Sequence, residues 1–466
     1  NGLRPARYFI TKDNMMVVAS EMGVLDIEAS QVREKGRLRP GKILMIDTQT
    51  GTIQYDPEIK EALAREHPYM EWLRKNRVIL SQISSGRHVV HSLPDLERQM
   101  RAFGYSREDV DRIILPMSSD AAEPIGSMGD DTPLAVLSSR PQLLFNYFRQ
   151  QFAQVTNPPV DPLREELVMS ISSYIGAVGG NILHPSEKHC KVVKLPSPVI
   201  SNTELDILCN LRYKGFNTQS RPMLFDPSRG AEGVEAAVEE LCRMAEKAVD
   251  DGINYVVLSD RGVDAEHAPI PSLLALSAVH HYLINVRKRA QIALIVETAE
   301  AREVMHIALL IGFGASAVNP YMAFAVLDDL VKRKELQLDY DTAEKRYVKA
   351  VNKGMLKIIS KMGISTIRSY RGAKIFEAVG LSKAFLDKYF SGITSSIGGS
   401  DLEDITSDLL KNHSAAFAAD ADPETLLQPS GEYAYRKGGI THAWNPQVVA
   451  ALQVATRTGD LSLIHI

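Results

Sequence analysis

The segment Glu123-Pro-Ile-Gly-Ser-Met-Gly-Asp-Asp-Thr-Pro133 gathers two glycines, adjacent carboxylates, two hydroxyls and two prolines ahead of the apolar run Leu134 to Leu137. Glycines let a backbone turn tightly and expose its N–H groups, so a loop of this kind can hold a ligand or meet another domain. The plainer reading is a turn cluster in which Asp130, Asp131 and Thr132 hydrogen-bond local backbone, as such side chains do in turns. On chemistry alone both readings stand.

Other chemical patterns are weaker. Gly312-Phe-Gly314 lacks the third glycine of a dinucleotide fingerprint and follows a helical pattern, so it reads as a helix stop. His280-His281 lies in a helical stretch, where neighbours point about 100° apart and do not readily share a metal, so a packed or surface pair is expected. Cys190, Cys209 and Cys242 are spaced too widely for a disulfide framework, a metal knuckle or an iron-sulfur set, and read as buried thiols in a reducing cytoplasm. No Walker loop, nucleophile elbow or His-Glu-x-x-His pattern occurs.

The elements that must position these groups change character along the chain. Up to about residue 55, short apolar runs alternate with turn residues, giving one hairpin from Arg7–Thr11 and Met15–Ser20 and a second from Lys42–Asp47 and Thr52–Tyr55. Asp56-Pro57 then opens a helix that runs to about Arg77. Residues 116 to 200 carry Asn157-Pro158-Pro159 and Gly179-Gly180, with a helical segment expected from Leu143 to Phe152, so shaped loops on a scaffold are expected. From about 221, the apolar runs Met223–Phe225, Tyr255–Leu258, Ala293–Val296 and Ala315–Val318 each precede a helical pattern, which means a parallel sheet in open or barrel form. Each run ends in polar residues, Asp226, Ser259-Asp260-Arg261, Glu297 and Asn319, at the edge where such folds place sites. Capping of the following helices is the favoured reading of these residues. A helix after Thr342 should stop at Gly363, and a shorter one, Gly372 to Val379, at Gly380.

The 466-residue length suits about three domains. A net charge of -4 gives no basic excess for nucleic acid or anionic lipid, so neither partner is expected. No apolar run approaches the roughly 18 residues of a membrane helix. The chain opens without Met, directly on Asn1-Gly2-Leu3-Arg4-Pro5, and is expected to begin inside a domain; Leu461 to Ile466 is assigned nothing.

GSMGDDTPLAVLS (126–138), followed by RPQLLFNYFRQQFAQVTNPPVDPLREELVMS (140–170), resembles the central domain of glutamate synthase large subunits. The resemblance continues through VLSDRG (257–262), IPSLLALSAVHHYLI (270–284), ETAEARE (297–303), GFGASAVNPYMAF (312–324) and KGMLKIISKMGISTIRSYRGAKIFEAVGL (353–381). NGLRPARYFIT (1–11) and ASEMGVLDI (19–27) resemble the end of the family's class II glutamine amidotransferase domain, and YRKGGITHAWNP (435–446) the start of its FMN-binding synthase domain. The division this implies is 1–80, 81–385 and 386–466, an internal fragment whose α/β fold is a central βα barrel-like domain preceded by a β-rich α+β segment of an N-terminal-nucleophile domain.

The family makes glutamate from glutamine and 2-oxoglutarate: ammonia from glutamine passes through an internal tunnel and condenses with 2-oxoglutarate, losing water, to an imine that reduced flavin converts to glutamate. The resemblance implies FMN and a 3Fe-4S iron-sulfur cluster bound outside this segment, and electrons from an FAD- and NADPH-using small subunit or from ferredoxin. It further implies a cytoplasmic oligomer. The fragment itself would supply scaffold and tunnel wall without catalytic residues, through the loop Met128, Gly129, Asp130, Asp131 and Thr132, with Thr132 the favoured residue. The alternative is a free-standing βα module, a binding protein or a lyase with Glu297 or Lys191 as base.

Overall fold

The computed structural model describes residues 6–83, 89, 93–126, 131–153, 160–176, 181, 183–418, 427–460 and 462. Met128, Gly129 and Asp130 of the candidate loop lie outside the described residues, as do Asn157-Pro158-Pro159, Gly179-Gly180, residues 1–5 and all of 461–466 but Ser462. The chain divides into two compact units, residues 1–76 and 77–466.

In the first unit, strands Ala6–Thr11 and Met16–Ala19 pair antiparallel as the expected hairpin, and Val32–Leu38 adds to the other edge of Ala6–Thr11. A Cβ on Gly36 would collide with the Tyr8 ring, so glycine lets that ring lie flat across the sheet. The second hairpin joins Leu44–Asp47 to Thr52–Tyr55. The single helix expected from Asp56 is two, Asp56–Arg65 and Tyr69–Asn76. Pro68 lies between them and has no N–H to continue the first ladder.

In the second unit, four parallel strands lie side by side in chain order: Thr218–Pro222, Tyr255–Ser259, Ala293–Glu297 and Ala317–Asn319. Each is followed by a helix, Gly230–Asp250, Ser272–Asn285, Val304–Gly312 and Tyr321–Lys332. Alternate side chains face opposite ways along a strand. Val256, Leu258, Leu294, Val296 and Val318 accordingly enter the larger core, and Tyr255, Val257, Ala293, Ile295 and Ala317 a smaller one roofed by Val193, Leu195, Leu205, Leu208 and Phe216. Burial on both faces explains the continuous apolar runs. The parallel α/β reading holds; the sheet is open, with no closed barrel among the described residues.

Three local expectations fail. Met223–Phe225 is not the first strand of this sheet: that strand is Thr218–Pro222, and Leu224–Phe225 pairs antiparallel with Ala268–Pro269. Leu143–Phe152 is not a helix: Leu144–Tyr147 makes one tight turn and Phe148–Gln150 a strand. That strand pairs with Phe376–Ala378, inside the stretch expected to be helical up to Val379. In both segments the aromatic side chains, Phe148 and Phe376, are fully buried, and tertiary packing overrode a helical pattern. The long helix is Tyr340–Lys361, and Gly363 takes the left-handed turn expected of it at φ 66.

Candidate functional site

A cavity of about 400 Å³ opens in the second unit beside the loop that leaves the strand Ala293–Glu297. Arg302, Glu303 and His306 line it, with Thr132, Pro133 and the stretch 137–143, and with Gln428, Ser430, Glu432 and the stretch 439–441. It therefore sits near the carboxyl ends of the parallel strands, where open α/β sheets place their clefts.

The floor is a buried ion pair. Arg302 Nε donates to Asp109 Oδ1 at 2.8 Å and Nη2 to the Gly104 carbonyl at 3.0 Å, and the guanidinium lies 4.2 Å from the centre of the Tyr105 ring. Burial works against the Arg302 charge, but Asp109 and Tyr105 outweigh it and raise its pKa. Glu303 is pushed up to about 7, first by burial and then by the Asp109 carboxylate. His306 stacks on Phe145 at 4.4 Å, and burial holds its pKa well below the ordinary value, so the ring is neutral.

The wall from 428 onward is fastened by side chains distant in sequence. Glu108, only 3% exposed, accepts the backbone N–H groups of Glu432, Tyr433 and Ala434 at 2.6, 3.1 and 3.1 Å. Asp131 accepts His442 Nδ1–H at 2.6 Å and the Trp444 N–H at 3.0 Å, while His442 Nε2 meets the Gly431 carbonyl. The hydrogen bond from His442 lowers the Asp131 pKa, and the same bond raises that of His442. Arg140 donates Nη2 to the Gly438 carbonyl at 2.8 Å. Asp131 and Thr132 thus stand together at the cavity wall, Asp131 clasping the 442–444 segment and Thr132 lining the space.

The strand-end residues behave otherwise than expected. Asp226 does cap, accepting the Ser228 N–H at 2.9 Å. The others join across strands: Glu297 accepts Ser259 Oγ–H at 2.7 Å and pairs with Arg261, whose guanidinium lies 3.9 Å from the Tyr321 ring centre. Asp260, fully buried, accepts from Thr298 Oγ1 at 2.5 Å and the Ala299 N–H at 3.0 Å. Burial pushes its pKa up to about 7. Asn319 Nδ2 donates to the Ile200 carbonyl at 3.0 Å. Glu297 is thus committed to Ser259 and Arg261, and the Lys191 ammonium lies 5.6 Å from the centre of the Phe216 ring. Neither has the setting of a free base. Cys190, Cys209 and Cys242 are free thiols; only Cys242 is fully buried, and burial pushes Cys209 up to about 11 and Cys242 to about 12.

Glu108, Arg140, Arg302, Glu303 and His442 went unread as site residues. Arg140 did open the 140–170 segment, Arg302 and Glu303 lay in ETAEARE and His442 in YRKGGITHAWNP, and those segments were the available signal.

The family model described as glutamate synthase central domain matches residues 98–382, and that for class II glutamine amidotransferases matches residues 1–72. The glutamate synthase [NADPH] large chain of Bacillus subtilis is 43% identical over 463 residues, covering 99% of this chain and 30% of the relative. Ferredoxin-dependent glutamate synthase 2 of Synechocystis is 40% identical over 98% of this chain and 30% of its own length. The NADH glutamate synthase of Schizosaccharomyces pombe is 40% identical over 98% of this chain and 22% of its length. The chain thus spans less than a third of these relatives. With a central-domain match through most of the second unit and relatives aligned along nearly its whole length, the chain belongs to the glutamate synthase family.

Proposed function

We propose that this chain works as the scaffold and ammonia-passage wall of a glutamate synthase, the enzyme that makes glutamate from glutamine and 2-oxoglutarate. The observation that carries the reading is the cavity at Thr132, walled by the clasp of Asp131 onto the 442–444 segment. In this reading residues 1–80 belong to the amidotransferase domain, 81–385 to the central domain and 386–466 to the approach to the synthase domain, and the Met128 to Thr132 loop lies between the two chemistries.

Ammonia released into water near neutral pH is protonated and loses its nucleophilicity, so the two half-reactions need a shielded path. The groups around this cavity suit that task. His306 is neutral, Asp109 is tied to Arg302, and Glu303 is partly protonated near neutrality. Asp109 is thus no free anion that would hold ammonium, and Glu303 is uncharged in part of the molecules. Thr132 adds a hydroxyl that can accept from and donate to a neutral amine.

FMN, which supplies hydride to the imine when bound, and the 3Fe-4S cluster are assigned to other parts of the enzyme. At the sheet edge where a flavin would lie, Asp260 and Thr298 are fully buried and Arg261 covers Tyr321, so these residues do not fit the cofactor. No group of three His, Cys, Asp or Glu able to hold a metal occurs among the described residues. Electrons would come from a small subunit with FAD and NADPH, or from ferredoxin, in a cytoplasmic oligomer. No helix among the described residues is long and apolar enough to cross a membrane.

In the full-length enzyme, Thr132→Val should reduce glutamine-dependent glutamate formation about tenfold, the loss of roughly one hydrogen bond, while ammonium-dependent turnover is kept. Equal loss of both activities would overturn the reading.

A further inference from the structure

On the helix Ser272–Asn285, well away from the residues that line the Thr132 cavity, His280 and His281 border a second pocket of about 240 Å³. Phe313, Phe376 and Ile393 form its apolar lining, and Lys374 stands at its rim. The pocket is built on fixed groups. Arg289 donates Nε–H to His280 Nδ1 at 2.8 Å, and its other nitrogens go to the Ile292 and Gly314 carbonyls at 2.8 and 2.7 Å. Gly314 has φ +120, and a Cβ there would collide with the His280 ring, so glycine is what lets the ring press against this turn.

These contacts set the two tautomers. His280 Nδ1 accepts a hydrogen bond, so its proton is on Nε2. His281 Nδ1 lies 2.9 Å from the Ser277 carbonyl, which can only accept, so that nitrogen carries the proton and Nε2 offers a lone pair. The rings are nearly perpendicular, with centres 5.2 Å apart. Adjacent histidines thereby present one donor and one acceptor.

The charge around the pocket is one-sided. Lys374 lines it and Arg289 braces it; burial foremost, then Arg289, His281 and Arg371, depress the His280 pKa. Among the described residues neither arginine has a carboxylate partner; Arg371 Nη2 donates to Ser173 Oγ at 3.3 Å, and its Nε is buried without a hydrogen bond to any of them. The described lining contains no Asp or Glu. Cations gathered in a partly desolvated place without a counter-charge favour an anion. Burial lowers the Arg289 pKa to about 9 and that of Arg371 to about 10, in keeping with uncompensated charge.

We infer that this pocket is a binding site for a small carboxylate with an aromatic or branched apolar body and a neighbouring hydroxyl. The carboxylate would meet Lys374 Nζ and His280 Nε2–H, the hydroxyl would donate to His281 Nε2, and the body would pack on Phe313 and Phe376. The volume suits it: a cavity of about 150 Å³ holds benzene, which leaves room here for the polar end. The site is independent of the passage proposed above.

Calorimetric titration of the 466-residue chain with phenyllactate tests this. Binding with Kd of about 1 mM or tighter is expected, and the methyl ester and acetate should each bind at least about tenfold more weakly. Lys374→Gln, a change at an exposed side chain, should weaken phenyllactate by about tenfold with an unaltered melting temperature. Ser391→Trp, at the exposed edge of the lining, should block the pocket. No binding by the unaltered chain, an ester that binds as well as the acid, or full binding by either variant would overturn the assignment.

Discussion

Replacing Glu108 by Ala should free the 432–434 segment from the cavity without unfolding the sheet. The carboxylate accepts three backbone N–H groups, two on Oε2 and one on Oε1, at 2.6 to 3.1 Å, and is nearly out of water. A hydrogen bond to a charged group contributes roughly 1.5–3 kcal/mol, and two bonds that share an oxygen do not add fully. A total of about 3–4 kcal/mol follows, or two to three powers of ten in the local opening equilibrium at about 1.4 kcal/mol per tenfold. Amide hydrogen exchange read by peptide is the assay. Protection at 432–434 should fall by about 10² to 10³, while Tyr255–Ser259 and Ala293–Glu297 keep theirs. A fall of less than about tenfold, or the same acceleration in the strands, would refute the view that Glu108 holds this wall locally.

Glu303 has a folded pKa raised to about 7, so its contribution to stability is complete below the ordinary glutamate value and is lost as pH rises toward 7. Glu303→Gln should therefore flatten the fall in urea midpoint between about pH 5 and pH 8; an unchanged slope would contradict the assignment. Arg302→Met leaves Asp109 buried without its partner and should cost about 3–5 kcal/mol in urea unfolding, with much of the loss recovered in Arg302→Met/Asp109→Leu. The Asp131–His442 clasp loses strength in two directions. The share of His442, whose pKa is raised, fades as pH rises through that value, and the share of Asp131, whose pKa is lowered, fades in acid. Exchange of the Trp444 amide, corrected for its intrinsic rate, should be slowest between those limits.

The parallel sheet was legible because strands buried on both faces are apolar along nearly their whole length, as Tyr255–Leu258 and Ala293–Val296 are. Tyr340–Lys361 was legible for the opposite reason: one face is buried and the other wet, which leaves a helical period. Phe148–Gln150 and Phe376–Ala378 were not, since each is three residues long and exists by pairing with a partner more than two hundred positions away. Met223–Phe225 misled because it is buried beside the sheet while the true strand, Thr218–Pro222, is polar at an edge. The site followed the same division. Asp131 and Thr132 stood out through their local turn chemistry. Glu108 did not, because its partner Glu432 lies 324 positions further on and it sits in no distinctive local pattern; Arg140 opened a quoted segment, but its partner Gly438, 298 positions on, was not legible.

The separation between Glu108 and Glu432 also sets an order of events during synthesis. A ribosome adds about 5–20 residues per second, so the acceptor emerges roughly half a minute before the donors it needs. Once Arg302 has joined Asp109, the nascent polypeptide carries a water-filled trough at this place, with that pair and Glu108 hydrated, until Glu432 follows. The emergence of Glu432 to Ala434 seals it, and a polypeptide ending just before Glu432 would be folded in its sheet yet open along one flank.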